Sequence, residues 1–358
     1  MIRCDAVVVG GGPAGSTCAR ELRKAGWDVT VVDRACFPRD KVCAGWLTPE
    51  VFPLLELDPN EYRDAGLTLQ EITAFRTGVM GRSLIETRYG RTVSYAVRRC
   101  EFDDFLLRRA RVRVIDGTPV KTLRQAGEQW IVNDTIAAPI VVGAGGHFCP
   151  VARYLRGGVD TATPVVAKEA EFRVDRQERY ADAPPELFFC RDLEGYAWYV
   201  PKGDYVNVGI GRRGNSGFTA YLQAFIAFLE HDRGIALPSS ARWRGHAYLA
   251  SGIGQRPLLA DGVLLAGDAA GLAYPESGEG IRPAIESGRL AAHALIDAGG
   301  RWRAEDLRGW ADALRRLHPS VAMWPSALQP ITAAIGRFLL GSPVFTRHIV
   351  LDRWFLRA

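Results

Sequence analysis

The sequence holds no apolar run near the roughly 18 residues that a membrane-spanning helix needs. Its start, MIRCDAVVVG, leads straight into strand-like residues without a signal-peptide layout, so a cytoplasmic protein is expected. No two of the seven cysteines (Cys4, Cys18, Cys36, Cys43, Cys100, Cys149 and Cys190) form a C-x-x-C pair, and their number is odd. That pattern fits free thiols and argues against a disulfide framework or a zinc site. His147, His231, His246, His293, His318 and His348 are too scattered to suggest a metal centre or a Ser-His-Asp arrangement. Low-complexity tracts and basic runs are missing too. The 45 Lys and Arg are interspersed among 40 Asp and Glu, leaving a net charge of +5, which argues against a nucleic-acid partner.

What is present is an ordinary globular composition, 47% hydrophobic and 24% charged over 358 residues, enough for a large core and more than one domain. Residues 5–34, DAVVVGGGPAGSTCARELRKAGWDVTVVDR, read as strand, glycine turn, helix and second strand. Gly10, Gly12 and Gly15 match G-x-G-x-x-G in that context. Gly10 permits the tight turn, Gly12 lets the backbone approach a pyrophosphate, and Gly15 lets helix and strand pack closely. The helix start at Pro13 and Ala14 offers N–H groups to phosphate. Asp33 ends the second strand, where a carboxylate can accept hydrogen bonds from a ribose. This unit predicts dinucleotide binding. A second match, GIGRRG at 209–214, follows a hairpin-like strand and reads as a strand end and loop.

Farther along, RRCEFDDFLLRRA predicts a helix, while RVRVIDG and QWIVNDTIAAPIVVGAGG return to strand character and end in glycines, as parallel or flanking strands of the nucleotide domain would. Residues 160–250 change to alternating strands such as YAWYVPKGDYVNVGIG, whose PKGD turn predicts an antiparallel hairpin. The nucleotide domain resumes at GVLLAGDAAGLAYPESGEGI. There a strand delivers Gly267 and Asp268, whose carboxylate can bind ribityl or pyrophosphate-side hydroxyls. The turn Pro275–Gly278 then opens a helix whose Gly280 and Ile281 N–H groups can face a flavin N1/C2 carbonyl, where negative charge develops on reduction. The dinucleotide is therefore expected to be FAD. After 301 the chain reads as helices rich in Trp and Leu, interrupted by Pro319, Pro325, Pro330 and Pro343.

These motifs resemble the FAD-dependent oxidoreductases that include p-hydroxybenzoate hydroxylase-like monooxygenases, flavin halogenases and geranylgeranyl reductases. The likeness covers the first 300 residues through GGGPAG…VVDR, GDAAG…GEGI and the R-x-x-F-D-x-x-L helix. It implies that Arg34 and Arg39 also contact the cofactor and that Arg99 lies near the flavin ribityl and phosphates. RACFPRDKVCAGWLTP is similar to the F-P-R-x-K-x-C-G-G segment of the geranylgeranyl reductase branch, and YAWYVP to its Y-x-W-x-F-P motif. By that resemblance Cys43, with Ala44 and Gly45, sits near the isoalloxazine, while Tyr196 and Trp198 line the substrate cavity. Without it, Cys43 reads as a small apolar residue and Tyr196 and Trp198 as sheet packing. Ala44 for a glycine and Val200 for a phenylalanine depart from the branch pattern.

The implied fold is α/β: an FAD-binding Rossmann-like domain (1–70, 98–160 and 255–300) with an inserted antiparallel substrate sheet (71–97 and 161–254) and a helical C-terminal region (301–358). The implied activity is reduction of carbon–carbon double bonds in an apolar, isoprenoid-like substrate, with Cys43, Tyr196 and Trp198 as catalytic candidates. Arg39 and Lys41 would favour a Cys43 thiolate if they pointed toward it, and Tyr196 offers a phenol proton. Alternatives are an aromatic monooxygenase, a halogenase (whose W-x-W-x-I-P signature is half matched) and a flavin-bound protein without turnover. Electrons would come from NAD(P)H, from another reductant or from a donor protein. The tail segment MWPSALQPITAAIGRFLLGSPVF would pack on the substrate domain, close over an apolar substrate or touch lipid at the membrane surface.

Overall fold

Four consecutive buried residues, Ala6–Val9, form the centre of a six-stranded sheet, with Ile140–Gly143 on one side and Val29–Val32 on the other. Val263–Leu265 and Arg113–Ile115 extend it in parallel, and Leu259–Ala260 closes one edge antiparallel. Its three central strands are buried at every position, which is why they read as unbroken apolar runs instead of alternating ones. These and the other elements belong to a computed structural model describing residues 1–157, 163–174, 183–250, 256–318 and 329–357.

The helix Pro13–Lys24 leaves the central strand through Gly12, with Pro at its start, and packs beside helices Arg99–Ala110 and Ile281–Ala298. The last contact is close: a Cβ at Gly288 would overlap the Ala14 carbonyl oxygen. QWIVNDTIAAPIVVG, read above as parallel or flanking strands of the nucleotide domain, divides into three. Gln129–Val132 and Ile136–Ala138 join Ile2–Arg3 and Leu123–Ala126 in a separate four-stranded sheet, and only Ile140–Gly143 enters the main one. The break comes at Asn133 and Asp134, whose φ of 51° and 53° no strand accommodates.

A seven-stranded sheet runs Arg244–Tyr248, Val165–Arg173, Tyr205–Arg213, Gly195–Lys202, Glu186–Phe189, Ala74–Val79 and Ile85–Arg88. Neighbours are antiparallel apart from Glu186–Phe189 beside Ala74–Val79. The first five residues of GIGRRG end strand Tyr205–Arg213 and Gly214 follows it, with Gly209 lying beneath the Trp198 ring. Helix Phe218–His231 follows only after several more residues. A small sheet of Trp46–Leu47, Ser94–Val97 and Leu69–Ile72 lies against strand Gly195–Lys202, and a boundary at 70/71 falls inside its strand Leu69–Ile72. The boundaries at 160/161 and 254/255 lie outside the described residues.

The C-terminal region contains helices Arg308–Leu317 and Gln329–Leu339, a short turn from Pro343, and a π-helix, Thr346–Leu356. Val350, Leu351, Phe355 and Leu356 are buried in one apolar cluster with Phe75, Leu187 and Trp198. Ile335, Phe338 and Val344 are exposed. Pro319, Pro325 and the segment around them lie outside the described residues. Among the described residues no helix is long and apolar enough to cross a membrane, and no group of three metal-binding side chains occurs.

Candidate active site

A cavity of about 460 Å³ runs between the parallel sheet and the seven-stranded sheet. At one end lie Gly10, Gly12, Pro13, Ala14, Asp33 and Arg34. Gly10 has φ 114°, and a Cβ there would overlap the Ala144 carbonyl. A Cβ at Gly12 would meet only the tip of Arg39, at 3.2 Å, and would otherwise project into the cavity. Gly15 does not line the cavity; it sits tight against Gly10 and Val8. Asp33 ties the loop down, accepting from the Gly11 N–H at 2.7 Å and from the Ala35 N–H at 2.9 Å.

Two guanidiniums flank this end. Arg99 opens its helix and pairs with Asp103 one turn on, through bonds of 2.8 and 2.9 Å, and Arg39 reaches the same fully buried carboxylate at 3.1 Å. Arg39 Nη1 is buried without a partner. A buried cationic N–H left over beside a glycine cradle and an uncapped helix start fits an anionic group such as a dinucleotide pyrophosphate. Arg99 is thus a buried, cavity-lining residue, not a solvated one.

The middle of the cavity holds a charge cluster assembled from three distant segments. Lys41 Nζ lies 2.5 Å from His246 Nε2 and 4.0 Å from Asp268 Oδ2, and His246 lies 3.6 Å from the same carboxylate oxygen. Burial lowers the Lys41 pKa to about 8 against the opposing pull of Asp268, and burial likewise lowers that of His246. For Asp268 burial acts upward, but its contact with His246 and the Lys41, His246 and Arg99 charges together outweigh it, bringing the carboxyl to about 2. Asp268 therefore stays ionised. It sits in the turn Gly267–Ala269, and helix Ile281–Ala298 begins at Gly280 with no side-chain cap, leaving first-turn N–H groups toward the cavity. Gly278, Gly280 and Ile281 line the wall there, whereas Pro275 does not.

Cys43 lines the cavity, half-buried. Its N–H donates to Glu169 Oε2 at 2.6 Å and its sulfur accepts the Gly45 N–H at 3.4 Å. The expected convergence of Arg39 on the thiol does not occur, because Arg39 turns to Asp103; the guanidinium whose charge acts on Cys43 is that of Arg99. Ala44 lines the cavity, but Gly45, with φ 68°, packs against Val97 and Lys202 instead.

The far end is aromatic. Tyr196 and Trp198, alternate residues on one face of their strand, have ring centroids 6.0 Å apart. Phe355 from the π-helix stands 5.3 Å from Tyr196 and 5.3 Å from Trp46, which stacks in turn on Phe75. The Trp198 indole is fixed by a 2.7 Å bond to Asn207 Oδ1. Tyr196 donates its hydroxyl to the Ser277 carbonyl at 2.5 Å, and burial holds its pKa well above the ordinary value, so its proton is already engaged.

Sequence reasoning missed Lys41 as a cavity cation, His246, Tyr248, Glu279, Trp46 and Phe355, all of which line the cavity. RGHAYLA carried a usable signal, since His246 and Tyr248 alternate as Tyr196 and Trp198 do. For Phe355 there was none.

A family model described as FAD dependent oxidoreductase matches residues 5–86. The menaquinone reductase of Mycobacterium tuberculosis is 30% identical over 81% of this chain and 76% of its own length. The digeranylgeranylglycerophospholipid reductase of Methanothrix thermoacetophila is 30% identical over 83% of this chain and 78% of its own. A crystal structure of a geranylgeranyl bacteriochlorophyll reductase-like protein from Thermoplasma acidophilum shares the fold with a TM-score of 0.74 at 20% identity, covering 95% of this chain and 88% of that one. The likeness runs through both sheets and far past the glycine loop that many nucleotide-binding proteins share, and the chain belongs to the geranylgeranyl reductase family of FAD-dependent oxidoreductases.

Proposed function

We propose that this oxidoreductase reduces a carbon–carbon double bond in an apolar, isoprenoid-like substrate. The observation that carries the reading is one cavity joining a dinucleotide cradle to a wall of Trp46, Tyr196, Trp198 and Phe355. The names of the two curated relatives, both reductases of lipids, support the same substrate class.

In this reading Gly10, Gly12 and the helix start at Pro13–Ala14 hold the pyrophosphate with Arg39, and Asp33 and Arg34 face the ribose. Gly267 and Asp268 hold the ribityl chain; Gly278, Gly280 and Ile281 face the pyrimidine edge. Gly15, Gly45 and Pro275 shape these loops from behind. When bound and reduced, FAD supplies a hydride equivalent. The chain's own residues then do the rest. The aromatic wall holds the alkene by burial, worth about 0.8 kcal/mol for each CH₂ removed from water. Asn207 and Ser277 fix Trp198 and Tyr196, so the wall does not reorganise when substrate enters. Cys43 and Ala44 border the reacting carbons, Cys43 held in place by Glu169 and by the Gly45 N–H. NAD(P)H or a donor protein supplies the electrons. The division into a discontinuous cofactor domain and an inserted substrate sheet is part of the same proposal.

The test is anaerobic. The flavin is reduced chemically, geranylgeraniol or menaquinone is added, and flavin absorbance and product mass are followed. Reoxidation with a gain of two hydrogens supports the reading. If neither alkene reoxidises the flavin while an aromatic substrate in air gains one oxygen, a monooxygenase replaces it.

A further inference from the structure

Reducing a double bond requires a proton as well as a hydride, and the cavity must supply it where water is excluded. Tyr196 is committed to the Ser277 carbonyl, and burial raises the pKa of both Tyr196 and Tyr248. Lys41 and His246 are bonded to each other beside Asp268. Among the described carboxyl groups that line the cavity, Asp33, Asp40 and Asp268 are paired, and one remains without such a commitment. Glu279 lines the cavity, both its carboxylate oxygens are out of contact with solvent, and neither meets a hydrogen-bond partner.

The groups around it explain why. From its own segment Tyr274, Arg282 and Glu286 face it, from the substrate sheet Tyr196, and from the tail Arg357. Neither cation bonds it: Arg282 Nε bonds Glu286 at 2.8 Å while its buried Nη1, 3.7 Å from Glu50, makes no hydrogen bond, and Arg357 lies 3.6 Å from Glu276. A carboxylate there would be a buried charge without a partner, so the protonated form is favoured. Burial accordingly pushes the pKa up to about 7, against the weaker downward pull of Arg282, through its charge and its backbone N–H, and of Arg357.

We propose that Glu279 is the proton donor of the reduction, acting at the carbon that does not receive the hydride. This rests on the reductase reading above. The alkene takes a hydride from reduced FAD at one carbon and the Glu279 proton at the other. Its π bond breaks, two C–H bonds form, the flavin is oxidised by two electrons, and the carboxylate takes a proton back from solvent.

Glu279→Gln keeps the shape and removes the acid; Glu279→Asp keeps the acid on a shorter arm. In the anaerobic assay at pH 6, 7 and 8, Glu279→Gln is expected to slow reoxidation by geranylgeraniol at least ~100-fold and to lose the wild-type decline above pH 7, with Glu279→Asp recovering part of the rate. A second readout needs no turnover: infrared titration of the oxidised holoprotein should show protonated-carboxyl intensity that is lost with a midpoint near pH 7, and Glu279→Gln should lack one carboxyl of it, keeping the part that belongs to Glu169. Flavin content and melting temperature establish that each variant is folded and loaded. Wild-type rate and pH profile in Glu279→Gln, or a carboxyl titration near pH 7 that the variant leaves unchanged, overturns the proposal while the reductase reading stands. A wild-type enzyme whose flavin stays reduced with every alkene overturns both.

Discussion

Gly12 and Gly15 stand three residues apart in one motif, yet the structure assigns them different physical tasks, and alanine should separate them. At Gly15 a Cβ would overlap the Gly10 carbonyl oxygen and stand 3.0 Å from its carbon and 3.1 Å from Val8 Cγ1. Two of these atoms are backbone of the strand-to-helix turn, so the helix must back away, losing packing against Gly288 as well. Overpacking of this kind costs about 1–3 kcal/mol, and the rigidity of the neighbours points to the upper end. At Gly12 the neighbour is the flexible tip of Arg39 at 3.2 Å. The cost to the fold is then that of an alanine at a helix N-cap, about 0.5–1 kcal/mol. The methyl instead occupies the cradle, and losing one charge-assisted contact to a phosphate is worth about 1.5–3 kcal/mol, roughly a 10- to 100-fold weaker Kd. Urea unfolding of the flavin-free proteins and fluorescence titration with FAD give the two numbers separately. Should Gly12→Ala lose as much stability as Gly15→Ala, or bind FAD like the wild type, the assignment of Gly12 to the cofactor is refuted.

Glu169, which accepts the Cys43 N–H, has its pKa pushed up to about 7 by burial, against the pull of Lys202. A carboxyl raised above its usual value near 4.5 stabilises the fold fully below that pH and loses the contribution as pH rises toward 7, up to about 3 kcal/mol. Urea unfolding at pH 4.5, 6 and 7.5 should therefore show the wild type losing stability with pH more steeply than Glu169→Gln, and parallel curves would remove the argument. Phe355→Ala takes away a ring in contact with Trp46 and Tyr196 and should cost about 3 kcal/mol, the low end for a buried phenylalanine because one side already faces the cavity. Titration of the holoprotein with geranylgeraniol should show weaker binding at unchanged FAD occupancy; undiminished binding would place the substrate elsewhere.

The nucleotide half was legible because its signals are local. A buried parallel strand reads as AVVV, and a glycine turn must come immediately after it, so motif and geometry coincide within thirty residues. The helix at Arg99 and the alternation of Tyr196 with Trp198 are local in the same way. The cluster of Lys41, His246 and Asp268 is not. Its members come from a loop, the edge strand of the other sheet and a turn of the first, and no spacing rule links them. The histidines looked scattered because scatter in sequence says nothing about a sheet edge brought over a cavity. QWIVNDTIAAPIVV left parallel and flanking strands open for a related reason: its apolar residues suit either sheet, and the break at Asn133–Asp134 that divides them is a backbone property of two residues that tolerate left-handed φ.

Phe355 closing against Trp46 sets an order of events on the ribosome. Chains fold from the N-terminus as they emerge. A nascent chain that has emerged through residue 300 holds both glycine-rich arms, yet Trp46 and Tyr196 still face water, because the ring that covers them has not been made. The cofactor end can thus be finished well before the apolar end, and for that interval the growing polypeptide carries a sticky aromatic opening of the kind that chaperones engage.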